Sequence, residues 1–300
     1  MIIQTEQLSK RYGRHDALRG LSLSVPEGSA FALIGANGAG KTTTIKLLMN
    51  ILAPSEGSAT LLGVDSRRLS PRELTRIGYV SENQDMPLRL TVGEYLDYLR
   101  PFYPGWDHSL ERDILARMRL PLERKIGDLS HGMRMKMALV CALPFRPALL
   151  VLDEPFSGLD PLVRDEFMTG LLGQAGEMTI LISSHELNEI EGVATHVGFI
   201  DGGQLLFQQS MEELTGRLRS VRVTLGSSEP AGTELPETWL QVNRVGNVLS
   251  FVDTQFSQDE LSSRIAATLR GVRNIDVQPI SLRSIFTTLA RAGQGQEVRS

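Results

Sequence analysis

The chain has a single cysteine, Cys141, among 300 residues. That excludes an intramolecular disulfide and a cysteine-rich metal site, and it reads as a buried, reduced thiol of a cytosolic protein. A run able to span a bilayer is also missing. The longest apolar stretch, Ala138 to Leu152, is broken by Pro144, Arg146 and Pro147 and falls short of the roughly 20 residues a membrane helix needs. No signal peptide is expected, because Met1-Ile2-Ile3 runs straight into Gln4, Glu6 and Lys10 without the charged and apolar regions of one. Basic excess is absent as well: the formal net charge is −4, so no nucleic-acid partner is expected through a general basic surface. Internal repeats, heptads and low-complexity tracts do not occur. What remains is 41% hydrophobic and 22% charged, a globular composition long enough for one large domain or two ordinary ones. If the protein works at a membrane, it does so through a partner.

The stretch Gly35-Ala36-Asn37-Gly38-Ala39-Gly40-Lys41-Thr42 matches GxxxxGK[ST], a phosphate-binding loop. Ahead of it, Ala30 to Ile34 is a short apolar run, read as a buried strand. Behind it, Ile45, Leu48, Met49 and Leu52 recur at helical spacing and predict a helix that Pro54 stops. Glycines let the backbone turn tightly and aim N–H groups inward, and a helix N-terminus adds partial positive charge where a polyphosphate would lie. Lys41 can reach the β- and γ-phosphates, and the Thr42 hydroxyl can ligate Mg²⁺.

Further along, Ala148 to Leu152 reads as an apolar strand ending in Asp153-Glu154-Pro155. Two carboxylates at the tip of a buried strand are costly unless they hold a cation or move a proton. In a nucleotide-binding chain, Asp153 reads as the residue holding Mg²⁺ through a water and Glu154 as the base that orients the attacking water. Thr179 to Ser184 is a further buried strand, with His185 just past its end. Ligands of open α/β sheets sit at the carboxyl ends of strands, so the phosphate loop, Asp153-Glu154 and His185 are expected to converge on one edge. Thr91 with Glu94 predicts a capping box. Ser130 is an N-cap, and the Ser-x-Gly of Ser130 and Gly132 is a potential anion site at a helix start. Residues 88–143 read as mostly helical. Val197 to Ile200 and Gln204 to Phe207 read as a hairpin, and Met211 to Leu218 as a helix. Near residue 220 the character changes to a β-β-α-β-α order without a chemical motif. Within it Gly226 to Pro236 is a loop, and Gly293 to Ser300 reads as a frayed tail.

With these residues in order, the chain resembles the nucleotide-binding subunit of an ATP-binding cassette (ABC) transporter. Gly35 to Thr42 looks like Walker A, Leu129-Ser130-His131-Gly132-Met133 like the LSGGQ signature, and Leu149 to Glu154 like Walker B with its glutamate. Ser157 to Asp160 looks like the D-loop, and His185 like the switch histidine. Tyr12, in a polar turn, stands where the family stacks an aromatic on adenine. The resemblance implies an α/β, P-loop NTPase fold over 1–218: a mixed sheet core, an antiparallel β subdomain and a helical subdomain at about 88–143. A small C-terminal α+β extension, 219–300, looks like that of bacterial ABC-2-type exporter ATPases.

The family's contacts carry over residue by residue. Tyr12, Gly35, Asn37, Gly38, Ala39, Gly40, Lys41, Thr42 and Thr43 bind ATP from one subunit. Ser130 and Gly132 complete the site of a second one, and Asp160 of the D-loop match also serves nucleotide binding. Thr42 and Asp153 serve the Mg²⁺, and Glu154 and His185 serve catalysis. Two departures stand out. The signature has His131 for a glycine and Met133 for the glutamine, and Glu82 occupies the Q-loop position; either Gln84 takes over that contact or Glu82 itself approaches the metal and water. The resemblance further implies a second ATPase subunit, as homodimer or heterodimer, and an integral membrane permease contacted near the Q-loop and residues 88–110. It implies a place on the inner face of the cell membrane and ATP-driven export. The competing expectation is a soluble ABC switch acting on the ribosome or nucleic acid, which a single motif set, the lack of heptads and the acidic charge oppose. A small-molecule phosphotransferase leaves Ser130, Gly132 and Asp160 unexplained.

Overall fold

The structure is a computed structural model, and it describes residues 1–172, 178–226 and 235–288. The chain divides into two compact units, Met1–Gln208 and Gln209–Ser300. The division falls ahead of the expected boundary at 218. The helix Met211–Arg217 goes with the second unit, where the Phe256 N–H donates to the Arg217 carbonyl at 2.9 Å.

Apolar runs bounded by turns build the first unit. Its six-stranded sheet has the order Gln204–Ser210, His196–Asp201, Ala30–Ile34, Thr179–Ser184, Leu149–Asp153, Ile77–Ser81. The last five strands pair in parallel. Leu149–Asp153 and Thr179–Ser184 are buried along their whole length, as central strands covered on both faces must be. Register places Ser81 opposite Asp153, Asp153 opposite Ser183, and Ile34 opposite Ser184. The residues that follow each strand therefore emerge at one level of one edge.

A second, antiparallel sheet has the order His15–Leu21, Ile3–Tyr12, Glu56–Leu61, Val64–Asp65, with Ser24–Val25 also on Ile3–Tyr12. Tyr12 thus closes a strand, paired with His15, where the sequence suggested only a turn. The helix Lys41–Leu48 buries Ile45, Leu47 and Leu48 in a core shared with Ile3, Leu8 and Leu61 of this sheet and Phe31, Val151 and Leu181 of the other. The helix stops well before Pro54. Asn50 takes φ 55°, its N–H donates to the Leu47 carbonyl at 3.2 Å, and that of Ile51 donates to Lys46 at 2.9 Å. This is a Schellman end with asparagine in the left-handed position, and the apolar spacing beyond it belongs to a loop.

Between residues 88 and 143 lie the helices Val92–Leu99, His108–Met118 and His131–Ala142. The Thr91–Glu94 capping box forms. Ser130 caps the third helix, its hydroxyl accepting from the Met133 N–H at 3.2 Å.

In the second unit an antiparallel sheet runs Trp239–Val245, Val248–Asp253, Arg219–Leu225, Val272–Pro279. The helix Gln258–Thr268 packs Leu261 and Ile265 with Val221, Val223 and Phe251. A further helix covers 282–288. The β-β-α-β-α order read from the sequence omits Trp239–Val245, a mostly exposed edge strand with an irregular register between Leu240 and Asn243. It has no clean alternation to read. Most of the loop expected at Gly226 to Pro236, and the tail Gly293 to Ser300, lie outside the described residues.

Candidate functional site

Four features meet at the shared edge of the parallel sheet: the loop after Ile34, Glu82 after Ser81, Glu154 after Asp153, and His185 after Ser184. The loop is shaped by its glycines. A Cβ on Gly40, at φ 110°, would lie 2.7 Å from Leu18 Cδ2 and 2.8 Å from the Ala17 carbonyl, and one on Gly35 would lie 2.3 Å from the Ile200 carbonyl. Nothing larger fits at either point without moving backbone.

Lys41 is buried, and its ammonium is fully partnered. Nζ donates to the Gly35 carbonyl at 2.6 Å and to that of Ala36 at 3.1 Å, and it lies 3.0 Å from Glu154 Oε1. The other oxygen of Glu154, Oε2, accepts from His185 Nδ1 at 2.8 Å. So Lys41, Glu154 and His185 form one chain of charge. Glu154 sits at φ 51°, a conformation that costs a non-glycine residue on the order of 1–3 kcal/mol and persists where the surroundings impose it. Here Ser183 helps impose it, with Oγ accepting from the Glu154 N–H at 2.9 Å.

The Ser183 hydroxyl donates to Asp153 Oδ1 at 2.8 Å, and the Thr42 hydroxyl donates to the same oxygen at 3.0 Å. Burial pushes the Asp153 carboxyl above its ordinary range, while the two hydroxyl bonds pull the other way. The hydrogen bond to Glu154 raises the His185 imidazolium above its usual range, with partial burial opposing. A raised histidine stabilises the fold below about pH 6.5, its unfolded value, and that contribution is lost as pH rises through the folded value. The melting-temperature gap between the unmutated chain and His185→Ala is therefore expected to be widest at pH 6 and to close by pH 9. A gap that widens with pH in a thermal-shift series would contradict the pairing.

A cleft of about 560 Å³ opens here, lined by Tyr12, His15, Asn37, Gly38, Gly40, Lys41, Thr42, Thr43, Glu82, Glu154, Ser157 and His185. Tyr12 is 46% exposed, so its ring is available for stacking, and Lys10 Nζ lies 5.3 Å from its centroid. Gly35 and Ala39, also of the loop, are buried and do not line the cleft. A second cavity adjoins, lined by Thr42, Asp153, Glu82 and Gln84 among others. Gln84 Oε1 is buried and lacks a hydrogen-bond partner among the described residues, whereas Glu82 Oε1 accepts from the Ser157 hydroxyl at 3.0 Å. Thr42, Asp153, Glu82 and Gln84 offer oxygen only, the donor type that suits Mg²⁺. The orphaned Gln84 oxygen is the kind of atom a hydrated cation would satisfy.

Ser130, Gly132 and Asp160 do not line the cleft. Asp160 instead begins the helix Pro161–Leu172, with Oδ1 accepting from the Val163 N–H at 3.0 Å. Two contributors escape the sequence reading. Ser183 has a signal, a polar pair closing an otherwise apolar strand, and His15 has none. Ser157 is legible only as the first residue of the D-loop match, without its tie to Glu82.

The ABC transporter family model matches residues 18–157. The bacitracin transport ATP-binding protein BcrA of Enterococcus faecalis is 33% identical over 222 residues, covering 73% of this chain and 72% of that protein. The chain belongs to the ABC transporter ATP-binding family. The daunorubicin resistance ATP-binding protein DrrA2 of Streptomyces coeruleorubidus is 32% identical over 305 residues, 99% of this chain and 88% of that protein. That similarity extends through the second unit. A solved structure of an ATP-binding subunit of an ABC transporter superposes with a TM-score of 0.66 at 27% identity, over 72% of this chain and 92% of that one. This ABC subunit is an ATPase whose hydrolysis is coupled to transport, and the expected P-loop ABC fold is the one it has. The soluble ribosome or nucleic-acid switch gives way to the transporter reading.

Proposed function

We propose that the cleft binds ATP with Mg²⁺ and that two copies close over it to energise a separate membrane permease. The observation that carries this reading is the convergence of Lys41, Glu154 and His185 in one cleft with the Thr42–Asp153 pair beside it. In this reading Tyr12 stacks on adenine. The N–H groups from Asn37 to Thr43 cradle the phosphates, and Lys41 leaves Glu154 for the β- and γ-phosphate oxygens. Thr42 and Asp153 hold Mg²⁺, with Gln84 the better placed of the two Q-loop candidates; the ion when bound offsets charge on the β- and γ-oxygens. Glu154 takes the proton of the attacking water, and His185 orients water and phosphate. Ser130, Gly132 and Asp160 serve the cleft of the second copy, which accounts for their lying outside their own. Donors then surround the γ-phosphate only when two copies meet, so closure and hydrolysis are linked.

Met1–Gln208 is the ATP-binding unit in this account and the second unit an accessory extension. In this account the permease is a separate chain and this subunit sits against it on the cytoplasmic face; no described helix is long and apolar enough to cross a membrane. Leu88, Tyr98 and Phe102 are each more than half exposed and mark the contact surface within 88–110, in keeping with the usual meaning of grouped exposed apolar side chains. Similarity to proteins named for bacitracin transport and daunorubicin resistance supports export. Isolating the tagged chain from its native membrane tests the partner. A multi-span protein should co-purify at fixed stoichiometry, and an ATPase-active complex lacking any membrane subunit would refute the reading.

A further inference from the structure

Two of the residues that depart from the family pattern, His131 and Glu82, bind the same residue. His131 opens the helix His131–Ala142, and its Nε2 lies 3.0 Å from the Ser157 carbonyl. A carbonyl only accepts, so Nε2 carries the proton. The Ser157 hydroxyl donates to Glu82 Oε1 at 3.0 Å. Its N–H donates to the Glu154 carbonyl at 3.2 Å, and the Glu82 N–H donates to the Asp153 carbonyl at 3.2 Å. Ser157 is thus held at three points. One comes from the helix start, one from the turn after Glu154, and one is the side chain of Glu82 itself. The His131 ring also lies against Gly158, where a Cβ would meet it at 3.7 Å. A glycine at 131 would have no atom to reach Ser157.

We infer that His131 is a positioning residue: through Ser157 it fixes Glu82 at the edge of the cleft, so that the two departures form a matched pair. The physical need is specific to this chain. A glutamine facing a polyphosphate is neutral, but a carboxylate there is repelled by the phosphates and has to be aimed. The Ser157 hydroxyl occupies one oxygen of Glu82 and sets its direction. That hydroxyl is steady only if the Ser157 backbone is, and His131 is what ties this backbone to the helix. His131, Ser157 and Glu82 need only keep the bonds that link them.

The inference rests on the reading of the cleft as the ATP site, so one arm of its test avoids ATP. In the nucleotide-free full-length chain, amide hydrogen exchange is read at Ser157 and Leu159, whose N–H groups close the turn. His131→Ala should speed exchange there about three- to tenfold, the worth of one hydrogen bond. His131→Gln, whose amide can donate to the same carbonyl, should restore exchange to within about twofold. In ATP turnover, His131→Ala should lower kcat by about three- to tenfold with KM within about twofold. In a Ser157→Ala background, where Glu82 is already released, the same change should cost less than about twofold. Equal losses in both backgrounds, or unchanged exchange at Ser157 and Leu159, would overturn the inference. Failure of the unmutated chain to bind ATP would reject the ATP site and leave the exchange arm standing.

Discussion

Glu154→Gln should abolish turnover while leaving ATP bound. Removing a positioned general base costs on the order of 10²–10⁴ in rate, so kcat is expected to fall by that factor in steady-state phosphate release. Binding should hold or tighten, for a reason that lies in the geometry of the cleft. Glu154 Oε1 stands 3.0 Å from Lys41 Nζ, in competition with any phosphate that needs that ammonium. Glutamine keeps the shape and the bond to His185 but removes the competing charge. Fluorescent-nucleotide titration should therefore give a Kd no weaker than that of the unmutated chain. Wild-type turnover in this variant would remove Glu154 from the role of base.

Lys41→Ala should have the opposite profile, with binding lost first. The ammonium is buried and is the only lysine or arginine group among the described cleft-lining side chains. Truncating one member of a buried charge pair costs about 2–5 kcal/mol, which corresponds to roughly 30- to 4,000-fold in affinity. Two partners share the damage. The phosphates lose their donor, and Glu154 is left with His185 alone. The same titration reads the effect, and unchanged affinity would overturn the phosphate-loop assignment.

The two substitutions are expected to differ in outcome because the parts proposed for the residues differ, and the sequence distinguishes those parts unevenly. Lys41 and Thr42 are legible from eight consecutive residues, and Asp153 and Glu154 from acids placed where an apolar strand ends. His185 is legible by the same logic. The direct pairing of Lys41 with Glu154 is not, since no local pattern relates a helix start with a residue that follows a distant strand; it follows from the order of the parallel sheet. Ser183 bonds both Asp153 and the Glu154 N–H, and its one mark in the sequence is to belong to the polar pair that closes an apolar strand. Asn50 ends its helix through backbone geometry that apolar spacing cannot reveal. Trp239–Val245 pairs at a sheet edge where exposure erases the alternation that marks buried strands. His131 and Glu82 look like two unrelated departures until Ser157 is seen between them.

The phosphate loop is, in this account, half of a site. Ser130, Gly132 and Asp160 carry the other half and lie outside the cleft of their own chain. Sedimentation velocity of Glu154→Gln, with and without ATP and Mg²⁺, tests this most directly. The account predicts a 33.1 kDa species without nucleotide and a species of twice that mass with it, returning to the single mass when Ser130→Ala is added. A chain that remains at 33.1 kDa with ATP saturating its cleft would contradict it.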